Sequence, residues 1–135
     1  MTQYSIRELS QMFQIPSSTL RYYEDSGLLP LVERNAAGQR IYTDAHVERL
    51  HKIRCFKNTG MTIAQLQTFF AYEADELNHI DDVLELLGNQ EVIVRKQLDE
   101  LQRDYAHLQK KLRYYGAIKD CMEKNLPLPC WKDYE

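Results

Sequence analysis

Apolar residues along the first 70 positions recur at helical spacing in four short stretches, each bounded by turn-forming residues. Ile6, Leu9 and Phe13 follow Ser5 and Glu8, a capping-box pair, so the spacing predicts a helix from Ile6 to Gln14. Pro16 breaks it. Leu20 and Tyr23 share the inner face of a second helix, with Ser17 or Ser18 as the expected cap and Gly27 as the stop. Val47, Leu50, Ile53 and Phe56 repeat every third residue behind Thr43 and Asp44, predicting a third helix that ends at Thr59-Gly60. Ile63, Leu66, Phe69 and Phe70 form a fourth behind another capping box, Thr62 with Gln65. Between the second and third helices, residues 31–34 and 39–42 read as short strands around the turn Asn35-Ala36-Ala37-Gly38, a β-hairpin. Two short helices joined by a tight turn, with a hairpin behind them, make a winged helix-turn-helix over residues 1–72.

The pattern then changes twice. Residues 73–82 are acidic and loop-like, which predicts a hinge. From there Leu84, Leu87, Glu91, Val94, Leu98, Leu101, Tyr105, Leu108, Leu112 and Tyr115 alternate by three and four, a heptad seam with one charged break at Glu91. A helix over 83–115 would be roughly 50 Å long at 1.5 Å per residue. A narrow apolar stripe of that length needs a partner helix, and the economical partner is a second copy of the same chain. Leu84, Leu87, Val94, Leu98, Leu101, Tyr105, Leu108 and Leu112 are the expected dimer contacts. Gly116 is expected to interrupt the helix, leaving residues 116–135 as a tail in which Trp131 packs on something.

The 135 residues suffice for one small domain with an extension. Charge is uneven. Residues 1–60 hold eight Lys+Arg against six Asp+Glu, and residues 61–135 hold nine against 14. A mildly basic first half permits a nucleic-acid face there. No stretch is long and apolar enough for a membrane span and no secretory pattern opens the chain, so a cytoplasmic location is expected. Cys55, Cys121 and Cys130 are too few for a disulfide framework. Enzyme chemistry lacks its signatures: there is no phosphate-binding glycine loop, no nucleophile elbow, no zinc-protease motif, and the four histidines are scattered. A coiled-coil adaptor that does not bind DNA is the rival non-enzymatic reading.

The second helix carries the chemistry that favours DNA. Ser18, Thr19, Arg21 and Tyr22 point outward near its N-terminus, where hydroxyls and backbone amides suit phosphate and Arg suits phosphate or guanine. Arg34, Asn35, Arg40 and Tyr42 stand on the hairpin as a second clamp, and Lys57 is placed to reach a flanking phosphate.

The ordered run Thr19-Leu20-Arg21-Tyr22-Tyr23-Glu24, Gly27-Leu28-Leu29-Pro30, Arg34, Arg40-Ile41-Tyr42 and Asn58-Thr59-Gly60-Met61-Thr62 resembles the MerR family of bacterial transcription regulators over residues 4–115. Gln39 departs from the aromatic residue common after the wing glycine. The resemblance implies a mostly α fold with a winged helix-turn-helix head and a long helix that dimerises as an antiparallel coiled coil. It implies binding to palindromic double-stranded promoter DNA, untwisting of that DNA on effector binding, and an effect on RNA polymerase through the shared promoter. It assigns Ser18, Thr19, Arg21, Tyr22 and Tyr23 to the recognition helix, with Tyr23 partly in the core.

Three effector readings follow, none needing a resident cofactor. Cys55 occupies the position of the single cysteine in the aldehyde- and electrophile-sensing branch, with His51, Lys52 and Arg54 near it to favour a thiolate. Cys121 and Cys130 follow the long helix as in metal-sensing members, with His79 as a further donor. A small organic ligand could sit among Tyr72, Tyr105, Tyr114, Tyr115 and Trp131.

Overall fold

The computed structural model describes residues 2–134. Its contacts divide the chain into two compact units, residues 1–90 and 91–135.

The first unit opens with strand β1 (Gln3–Tyr4) and helix α1 (Ile6–Phe13). Both halves of the Ser5/Glu8 capping box form: Ser5 Oγ accepts from Glu8 N–H at 3.1 Å, and Ser5 N–H donates to Glu8 Oε1 at 3.0 Å. Gln14 closes α1 in the left-handed conformation at φ 55°. Helix α2 (Ser17–Asp25) follows at once. Neither Ser17 nor Ser18 caps it. Pro16 is the N-cap residue, its fixed φ and extended ψ launching the helix without a side-chain bond. Gly27, at φ +78°, lets the chain turn back so that Leu28 N–H reaches the Tyr23 carbonyl at 2.9 Å.

Strands β2 (Glu33–Arg34) and β3 (Arg40–Thr43) form the wing, and β1 joins the other side of β3. The sheet order is β1-β3-β2, with Tyr4 opposite Tyr42 and Arg34 opposite Arg40, all antiparallel. Helix α3 (Asp44–Asn58) starts at Thr43, whose N–H donates to His46 Nδ1 at 3.0 Å. The other nitrogen of this buried ring, Nε2, therefore carries the proton and donates to the Pro30 carbonyl at 2.7 Å. Helix α4 (Ile63–Glu73) opens on the expected Thr62/Gln65 box. Leu9, Phe13, Leu20, Leu28, Leu29, Tyr42, Leu50, Ile53, Met61, Leu66, Phe69 and Phe70 form the core.

The expected hinge over 73–82 is ordered. α4 runs through Glu73, a 3-10 turn covers Glu76–His79, and helix α5 spans Ile80–Glu123. The acidic run is a helix start: Asp81 and Asp82 lie in the first turn, where negative charge complements the dipole. His79 Nδ1 meets Asp82 at 3.0 Å.

α5 is thus longer than the expected 83–115 at both ends. Gly116 sits inside it, a cost of about 1 kcal/mol that a long helix absorbs. Val83, Leu86 and Leu87 pack on the core of the first unit. Leu87, expected in the dimer seam, therefore belongs to the head.

In the second unit the helix ends at Glu123; Asn125, left-handed at φ 53°, turns the chain, and Leu126 N–H bonds the Cys121 carbonyl at 2.9 Å. The tail returns along the helix. Trp131 packs against Tyr114 at 5.2 Å and His107 at 6.2 Å between ring centroids, with Lys111 Nζ 3.9 Å over its ring.

Candidate nucleic-acid interface

Leu20 is fully buried and anchors α2, while Tyr23 packs half-buried beside it. That leaves Ser18, Arg21 and Tyr22 exposed and Thr19 partly so. With Pro16 as cap and no side chain satisfying the first amides, the start of α2 keeps N–H donors free for an anion.

The wing is held rigid by its own polar groups. Asn35 Oδ1 accepts from Ala37 N–H at 2.9 Å and Gln39 N–H at 3.0 Å, and Arg34 donates to the Gly38 carbonyl at 2.8 Å. Asn35 is exposed at the tip, but its carbonyl oxygen builds the turn. Arg40 Nε pairs with Glu24 Oε2 at 2.6 Å, which braces the wing against α2. That carboxylate pushes the Arg40 guanidinium further above its ordinary range. Arg40 is therefore first a strut between the wing and α2.

Tyr42 is a correction. It is fully buried in the core, because alternation along β3 turns it inward opposite Tyr4, and its hydroxyl has no partner among the described residues. A side chain so placed does not reach DNA. Burial pushes its phenol above the usual value, with Glu24 adding to the shift and Arg40, Arg21 and Arg34 opposing it.

A residue missed in the sequence completes the face. Arg7, exposed on α1, lines an open groove of about 620 Å³ with Tyr4, Asn35, Gln39 and Arg40. Nothing in the spacing of α1 separates Arg7 from any surface arginine. Lys57 is exposed near the end of α3.

Cys55 is exposed on α3. Its expected cationic neighbours are engaged elsewhere: Lys52 meets Glu73 at 3.4 Å, Arg54 donates to the Phe13 carbonyl, and His51 packs on the Phe13 ring at 4.9 Å. Among the described residues no three His, Cys, Asp or Glu side chains gather as a metal site. His79 is taken up by Asp82 and by stacking on Tyr72 at 5.1 Å. Tyr114 and Trp131 fill each other's space, while Tyr105 and Tyr115 stand on the exposed stripe of α5. On that stripe Leu84, Leu98, Leu101, Tyr105, Leu108 and Leu112 are each 54–74% exposed, and Val94 is partly covered.

A family model for MerR HTH regulatory proteins matches residues 4–73, and one for MerR DNA binding matches residues 47–111. The chain belongs to the MerR family. An uncharacterized HTH-type transcriptional regulator of Haemophilus influenzae is 34% identical over 116 residues, 86% of each chain. The mercuric resistance operon regulatory protein of Bacillus cereus is 30% identical over 129 residues, covering 90% of this chain and 87% of that one. Among solved structures, HiNmlR, a MerR-family regulator lacking the sensor domain and bound to promoter DNA, is 32% identical. It superimposes with a TM-score of 0.77, covering 95% of this chain and 100% of that chain. This MerR-family chain is a DNA-binding transcriptional regulator. Among the described residues no helix is long and apolar enough to cross a membrane.

Proposed function

We propose that the protein acts as a homodimer that binds a palindromic promoter and activates transcription by untwisting the DNA, with Cys55 as the group that senses a soft electrophile. The observation that carries the DNA reading is the joined surface of α2 and the wing. Ser18, Thr19, Arg21 and Tyr22 stand on one side and Arg7, Arg34 and Asn35 on the other, tied by the Arg40–Glu24 bridge. Lys57 adds a flanking phosphate contact. Dimerisation is supported by the exposed stripe of α5, where Leu98, Leu101, Tyr105 and Leu108 border an apolar trough of about 410 Å³ suited to the knobs of a second copy. RNA polymerase is engaged through the shared promoter, in the cytoplasm.

The thiol reading rests on the exposure of Cys55 on α3, which leaves its sulfur open to a small electrophile. The thiolate adds to an aldehyde carbonyl carbon; a C–S bond forms, the carbonyl π pair moves to oxygen, and solvent supplies the proton. The residues around Cys121 and Cys130 give the metal reading no comparable support.

In vitro transcription from the protein's own promoter, with and without a reactive aldehyde, compares wild type with Cys55→Ser. Induction lost only in the variant is expected. Equal induction in both refutes thiol sensing. Failure to bind the upstream palindrome at moderate salt refutes the regulator reading itself.

A further inference from the structure

Helix α5 docks on the first unit through one face, Val83, Leu86, Leu87 and Gln90, at the spacing i, i+3, i+4, i+7. Three of the four are apolar. Apolar contacts are non-directional, so they allow a helix to slide or roll by small amounts at little cost. Gln90 is different. It is 7% exposed and, with His46, one of two buried polar side chains among the described residues. Its Nε2 donates to the Thr59 carbonyl at 2.7 Å and approaches Thr59 Oγ1 at 3.2 Å.

Thr59 closes the last turn of α3. Its N–H lies 3.3 Å from the Cys55 carbonyl and 3.1 Å from that of Phe56, and its hydroxyl donates to Phe56 at 2.6 Å. Gly60 beside it adopts φ +98°, and a Cβ there would lie 3.9 Å from Gln90 Nε2. The Thr59–Gly60 corner is thus a shaped acceptor for one side-chain amide. Its hydrogen bonds begin at the carbonyl of Cys55.

We propose that Gln90 is a positioning residue: its bond to Thr59 fixes the register of α5 on the α3–α4 corner, and that register sets how far bound promoter DNA is distorted. A buried donor keeps its energy only while its acceptor is in place. Rotation of α5 by one position removes the Thr59 carbonyl from reach, so the joint has one satisfied setting where an apolar joint would have several. The output half of this inference rests on the activation reading above; the register half does not.

The test uses the full chain and two variants. Gln90→Leu keeps the volume and removes the donor. Gln90→Glu places an acceptor against the Thr59 carbonyl, and guards against a fault peculiar to leucine. Hydrogen exchange reads the register: amides of residues 56–61 and 83–93 should exchange at least tenfold faster in both variants. Titration of the upstream palindrome should give affinities within about threefold of wild type. Promoter output and DNA untwisting at saturating protein should change at least tenfold. Unchanged exchange in both variants overturns the latch. Output that falls only in proportion to occupancy or to melting temperature overturns the positioning role and leaves Gln90 a packing residue. If wild-type protein at saturation does not untwist the promoter, the activation reading fails, and faster exchange in the variants still upholds the register latch.

Discussion

Replacing Tyr42 with phenylalanine removes one oxygen from the centre of the head and nothing else. The ring is fully buried beside His46, 5.6 Å away edge-on, and the hydroxyl has no partner among the described residues. An unsatisfied buried polar group costs about 1–3 kcal/mol. Deleting it without disturbing the ring should therefore stabilise the head by about 1 kcal/mol or more, where most core substitutions destabilise. Tyr42→Ala deletes the ring too and should cost about 3–5 kcal/mol. Urea denaturation followed by circular dichroism reads both. The two variants also differ from wild type with pH. The folded-state phenol titrates above its ordinary value of 10.0, chiefly through burial. The corresponding stability is fully present below that value and is lost as the pH rises through the folded one. Tyr42→Phe should remove its part of the alkaline loss; Tyr23, raised by burial, and Tyr4, raised by its hydrogen bond to Asp44, keep theirs. Fluorescence anisotropy with promoter DNA supplies the control. Affinity should stay within about twofold of wild type, since a fully buried ring makes no DNA contact. A variant less stable by about 1 kcal/mol would refute the reasoning, because the wild-type hydroxyl must then hold a partner inside the head; one that binds DNA tenfold more weakly would refute the exclusion of Tyr42 from the interface.

Other outcomes follow from the same surface and core. Arg21→Ala should weaken palindrome binding by about tenfold, and should lower the slope of log affinity against log salt by about one, read by titration at several salt concentrations. Glu24→Gln breaks the 2.6 Å brace to Arg40. Because the pair is partly exposed it should cost only about 0.5–1 kcal/mol in melting, yet DNA affinity should fall several-fold as the wing loosens. The double change Leu98→Asp with Leu108→Asp should give a monomer by sedimentation, with the circular dichroism of the head intact. His46→Ala opens a cavity and leaves the Pro30 carbonyl without its donor, so about 2–3 kcal/mol should be lost in denaturation.

What could be read from the sequence was what is local. The Ser5/Glu8 and Thr62/Gln65 boxes and the Gly27 stop depend on residues one turn apart, and each forms as its spacing predicts. The exposed residues of α2 followed from Leu20 and Tyr23 taking the inner face. Long-range facts were not legible. β1 is two residues long, too short for a period, and exists because β3 has an open edge beside it. Arg40 looked like a free wing cation until the fold brought Glu24, 16 positions earlier, against it. The burial of Tyr42 is not legible, because a four-residue strand does not reveal which alternate faces inward. The acidic stretch 73–82 has the composition of a solvated loop, and only the position of Asp81 and Asp82 in the first turn of α5 reveals a helix start. Gln90 looked like any polar residue flanking a heptad; only the Thr59 corner gives it a purpose.

The packed tail has a spectroscopic consequence. Trp131 is the only tryptophan in the chain, and Tyr114, His107 and Lys111 surround it in the second unit. Selective excitation of indole therefore watches the tail alone, while the head is visible only through its tyrosines and backbone. Melting curves taken by the two signals would report separate events in one sample. A ligand that shifts indole emission without moving the backbone signal has acted on the tail.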